Sequence, residues 1–114
     1  MSLAGLAEFN KLMTHDVTLK EISRNVSGDI SIENEDEIKG FVEYNQKKIV
    51  DKSGNDVIST AIVFLKNDAE IDLSKEYIID QDSPQVRENM EVLIIEPIDD
   101  PRSGLTHHYE LMVR

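Results

Sequence analysis

The residues of this 114-residue chain that could do chemistry are few, and their spacing does not favour it. Histidine occurs at His15, His107 and His108. His107 and His108 are adjacent, so on an extended strand they face opposite sides and cannot share one metal ion. His15 precedes a strand start and has no evident partner. Cysteine is absent, which removes thiol catalysis, thiolate metal sites and a disulfide scaffold together. No serine stands in a Gly-x-Ser-x-Gly elbow, and neither a phosphate loop nor a Gly-x-Gly-x-x-Gly fingerprint occurs. Carboxylates are abundant, but a chance pair without a defined cleft does not make an acid–base site. The expectation is a chain that is not an enzyme and binds neither cofactor nor metal.

Binding is the remaining chemistry. Lys47, Lys48 and Lys52 form the only local basic cluster in a chain of formal net charge −11, with 23 acidic and 12 basic residues. The cluster could contact a phosphate backbone or an acidic partner. Alternatively, the lysines keep an exposed hairpin from pairing edge to edge with another sheet, and composition favours this plainer role. So acidic a chain repels phosphate at long range, so generic nucleic-acid affinity is not expected. The opening MSLAGLAEFNKLM is interrupted by Glu8 and Lys11, which argues against a secretory signal, and no apolar run reaches membrane-spanning length. A hydrophobic content of 39% suits a folded domain, and the length suits one domain.

The lysines lie in the stretch around which the chain is organised, a long hairpin over residues 41–66. In its second half Val57, Ser59, Ala61, Val63 and Leu65 point one way, and Ile58, Thr60, Ile62 and Phe64 the other. Such a strand is expected to be central and covered on both faces. The turn formers Lys52, Ser53, Gly54, Asn55 and Asp56 connect the halves. A strand from Phe41 to Asp51 would span roughly 35 Å. A domain of this size has a radius of gyration of about 13 Å. The hairpin must therefore wrap around a barrel or project as an arm.

Before it, Leu3, Leu6, Phe9, Leu12 and Met13 have helical spacing and predict a short amphipathic helix over residues 3–13 that must dock on something. Val17 and Leu19 alternate with polar residues in a strand over 16–24. Residues 25–36 read as an acidic loop with a brief extended piece at Ile30 and Ile32. After the hairpin, Tyr77 to Ile79 reads as a short edge strand, Met90 to Glu96 as a strand, Pro97 to Gly104 as a turn region, and His107 to Arg114 as a closing strand. In that last strand Tyr109, Leu111 and Val113 share one face. The sum is mainly β: a small antiparallel barrel over residues 16–114 with a short N-terminal helix and a long protruding hairpin, in one domain of residues 1–114.

Around the hairpin the sequence resembles the head-closure, or stopper, proteins of tailed bacteriophages and prophages. The resemblance rests on Val42, Tyr44 and Lys47, then Gly54, then Val57, Ser59, Ala61, Val63, Phe64 and Leu65. The acidic segment 69–73 and the ending His107, His108, Glu110 fit the family pattern. Ser74, Lys75 and Glu76 depart from it, since family members often carry a Gly-Asp turn there.

The resemblance implies a head-tail connector component that forms a ring below the portal and its adaptor, closes the DNA channel after packaging and offers the tail a docking surface. Implied partners are the adaptor ring, tail proteins and further copies of the chain. Packaged DNA would be a non-specific contact only, and no membrane is involved. The implied location is the virion neck, preceded by the host cytoplasm. By analogy Gln46, Lys47, Lys48, Asp51, Lys52, Ser53, Gly54, Asn55 and Asp56 would form the channel gate or an intersubunit arm; the helix of Leu3, Leu6, Phe9, Leu12 and Met13, read from its apolar stripe alone, would cap the open end of the body or pack on a partner. A solitary ligand- or peptide-binding barrel, and a tail terminator, are the competing readings.

Overall fold

The computed structural model describes residues 9–114. Six strands follow one another: β1 (His15–Arg24), β2 (Ile30–Val50), β3 (Asp56–Lys66), β4 (Glu76–Gln81), β5 (Arg87–Asp99) and β6 (Thr106–Val113). All pairings are antiparallel, and the sheet closes on itself in the order β1-β2-β3-β6-β5-β4. This is the mainly β antiparallel barrel that the alternation predicts.

Its interior is filled by alternate residues of each strand. Ser59, Ala61, Val63 and Leu65 of β3 are fully buried, as are Val17, Ile79, Leu111 and Val113 from three other strands. The outer side of β3 is only partly covered. Ile58 remains 57% exposed, while Phe64 lies among the rings of Phe41 and His108. The expectation of burial on both faces is thus met only near Phe64. A barrel has one filled side, and the β-branched outer residues of β3 serve the strand itself.

The organising element is β2. Straight, its 21 residues would span roughly 69 Å, yet the longest dimension of the molecule is 47 Å. The strand bends at Gly40, where it changes partner: Ile30 to Gly40 pair with β1, and Gly40 to Val50 with β3. A side chain would not fit there. A Cβ on Gly40 would lie 2.9 Å from the Phe64 carbonyl oxygen and 3.0 Å from Leu65 Cδ2. Glycine lets three backbones meet at a barrel corner.

Three expectations are corrected. Residues 25–36 are not a loop: β2 begins at Ile30, and only the Asn25–Asp29 turn separates it from β1. Tyr77 to Ile79 is not an edge, because β4 pairs with β1 on one side and β5 on the other. Pro97 lies within β5 opposite Tyr109, not in a turn. It fits because this half of β5 pairs with β6 alone and needs no second donor. The predicted helix falls largely on residues outside those described, including Leu3 and Leu6. Within them, Phe9 and Asn10 are helical, Met13 is buried and Leu12 is 55% exposed.

Candidate functional site: the hairpin arm

The predicted hairpin divides at Tyr44. Up to that residue it is barrel wall, with Phe41 to Tyr44 opposite Phe64 to Ala61. The β3–β6 ladder ends at the Ala61–Val113 pair. Beyond it residues 45–60 pair only with themselves, forming a two-stranded arm. At its root the register shifts between Tyr44 and Lys47, so β2 carries one residue more than β3 there. Such a bulge bends a hairpin and re-aims its side chains. Tyr44, the last ladder residue before the bulge, acts as a latch: its hydroxyl donates to Gln81 Oε1, and the Arg87 guanidinium lies 4.7 Å from its ring centroid. Gln81 is buried on β4 and donates through Nε2 to the Ser83 carbonyl at 3.3 Å.

The predicted turn residues hold the tip together. Asp51 Oδ1 accepts from the amides of Ser53 at 2.9 Å and Asn55 at 3.0 Å. The Gly54 amide donates to the Asp51 carbonyl at 3.0 Å, with Gly54 at φ +82°. Gln46, Lys47, Lys48, Lys52, Ser53, Gly54, Asn55 and Asp56 are exposed, and Asp51 is half-buried. Lys48 and Asp56 approach to 3.8 Å, an exposed pair of little energetic weight. Asp51, Lys52 and Ser53 line a cleft with Ile22, Glu76 and Leu93, so the arm curls toward one barrel end rather than standing straight out.

The Asn25–Asp29 turn repeats this construction. Asn25 Oδ1 accepts from the amides of Ser27 and Asp29 at 2.9 and 3.0 Å, and Gly28 has φ +84°. The shared pattern, Asn/Asp-x-Ser-Gly-Asp/Asn, was visible at residues 25–29 and 51–55 and marks both ends of β2.

The histidines form a second cluster that sequence reasoning missed. His107 and His108 are both buried, and their Nδ1 atoms lie 2.8 Å apart. The expected opposite orientation fails because Ile98 pairs with His108 and Asp99 with Thr106, leaving His107 as the extra residue of a bulge. His108 Nε2 lies 3.0 Å from Glu110 Oε2. A neutral His108 donating to Glu110 can accept from His107 Nδ1–H, which leaves His107 Nε2 a bare acceptor. That atom is buried and has no partner, as is Asp100 Oδ2. Phe9 covers both rings, with centroids 5.1 and 4.5 Å away. Burial holds the His107 imidazole below its ordinary 6.5; charge on His108 acts the same way, and Asp100 opposes. His15 lies elsewhere, stacked on Phe41 at 5.0 Å and accepting from the Val42 amide.

Among the described residues no three His, Asp or Glu side chains are arranged to hold a metal ion, and no helix is long and apolar enough to cross a membrane. The chain matches no protein-family model, and comparison with curated proteins and with solved structures finds no significant match.

Proposed function

We propose that this chain is a head-closure component of a tailed phage or prophage, a ring-former beneath the portal whose arm helps to shut the DNA channel. The observation that carries the reading is the arm: residues 45–60 continue beyond the closed ring as a two-stranded hairpin, buried at Ser59 near its root, curled toward one barrel end and exposed at its lysine-bearing tip. The family resemblance centred on Val57, Ser59, Ala61, Val63, Phe64 and Leu65 supports it. Net acidity supports it too, since a conduit for DNA must not hold phosphate at every step. Partners would be the adaptor ring, tail proteins and further copies. The barrel interior argues against a solitary ligand-binding barrel, because its inward side chains fill it. The test is deletion of residues 52–55 with a two-residue turn in their place. The barrel should fold and particles should assemble, but filled heads should lose DNA. Full DNA retention by such heads overturns the reading.

A further inference from the structure

The closed ring leaves one long strand edge open. From Ile30 to Lys39, β2 pairs with β1 on one side, and no strand of the described residues pairs with it on the other. The segment that follows β3 runs nearby at residues 68–72, but no backbone hydrogen bond joins it to this edge. An unpaired run of amides and carbonyls is a template for another strand.

We propose that this edge receives the arm of a second copy. Rim chemistry selects the occupant. Glu33, Glu35, Asp36 and Glu37 are exposed along the edge, and its one cation, Lys39, is paired with Asp16. Two such edges repel each other, which rules against a symmetric edge-to-edge pair. The arm carries the chain's local lysine cluster, Lys47, Lys48 and Lys52; with Asp51 and Asp56 counted it keeps one net positive charge, and Lys48 meets Asp56 only loosely at 3.8 Å. Apolar groups match as well: Ile30 and Ile32 are about half exposed at the edge, and Val50 and Ile58 at 55% and 57% on the arm. Beyond Tyr44 the outer sides of the arm are unpaired, so it can supply main-chain partners. Donor and acceptor lie on different parts of one chain. The contact is therefore head-to-tail, and repetition closes a ring or extends a filament. The inference deepens the ring reading above and rests on it for its biological setting.

Cysteine-free sequence makes the test clean. One preparation carries Glu35→Cys and another Lys48→Cys; the two are mixed at high concentration under oxidising conditions. The expected result is a mixed edge–arm disulfide in excess over edge–edge and arm–arm dimers. It should be lost in Glu33→Lys/Glu37→Lys chains, and restored when these meet arms carrying Lys47→Glu/Lys52→Glu. Equal yields of the three dimers, or no mixed dimer, overturn the proposal. The two readings fail separately. Rings that form and hold DNA with the edge charges reversed sink the edge contact alone. A mixed disulfide in a protein whose shortened tip still seals heads sinks the closure role alone.

Discussion

Gly40 and Gly54 are both glycines of β2 and its turn, yet replacement should fail for different reasons. At Gly40 the obstacle is steric, since a Cβ would meet the Phe64 carbonyl at 2.9 Å. Gly40→Ala should cost about 1–3 kcal/mol, read from urea unfolding, because backbone must move. At Gly54 nothing lies within 4 Å, and only φ +82° stands against a side chain. Gly54→Ala should cost roughly 1 kcal/mol, and Gly54→Asn less, since asparagine tolerates that region. His107 sets a pH dependence. Its folded imidazole resists protonation while the unfolded one titrates near 6.5. The unfolded state then binds more protons as pH falls below 6.5, so stability should drop there. Thermal melts between pH 7 and pH 5 should show the decline, and it should flatten in His107→Gln. An equal slope in that variant would assign the decline to other groups. The histidine pair was not legible in the sequence, because strict alternation separates neighbours and nothing in the residue types announces a bulge at His107.

Among elements, legibility followed burial. The strands β3, β5 and β6 were readable because one side of each faces the core, so Ala61, Val63, Leu65, Leu93, Leu111 and Val113 stand at strand spacing or one bulge from it. The first half of β2 was not, because Glu33, Asn34, Glu35, Asp36 and Glu37 are exposed whichever way they point. An edge whose side chains from Glu33 to Glu37 are all exposed imposes no alternation, and Ile30, Ile32 and the turn before them are what signals a strand. That β4 is no edge is not legible in Tyr77 to Ile79, because ring closure is a property of the whole sheet. The hairpin expected over residues 41–66 is only in part an arm, since its two ends are barrel wall and residues 45–60 alone lie beyond the β3–β6 ladder. Its latch joins Tyr44 to Gln81 and Arg87, which sequence distance hides. Isolated two-stranded hairpins are marginal in water, so amides of residues 46–56 should exchange quickly while those of 61–65 stay protected. Tyr44→Phe should speed exchange over residues 45–60 and leave 61–65 unchanged. A tip as protected as 61–65 would mean that the arm belongs to the barrel.

Across the whole molecule, a net charge of −11 opposes association, and under the edge–arm proposal the lysines of the arm overcome it. Association by that route should weaken with added salt, since exposed charge pairs are screened over about 10 Å at 0.1 M. Sedimentation in low and high salt checks this, and salt-independent association would point to an apolar contact instead. The continuity of β2 has a further consequence, for how the sequence can drift. One strand serves as wall for two hairpins, and its side chains alternate along its length. Losing a single residue between Ile30 and Gly40 would turn every later side chain, Val42 included, to the opposite side of the barrel. Length changes in descendants of this chain should therefore collect in the two turns at residues 25–29 and 51–55, while β2 itself keeps its count like a ruler that two neighbours read from.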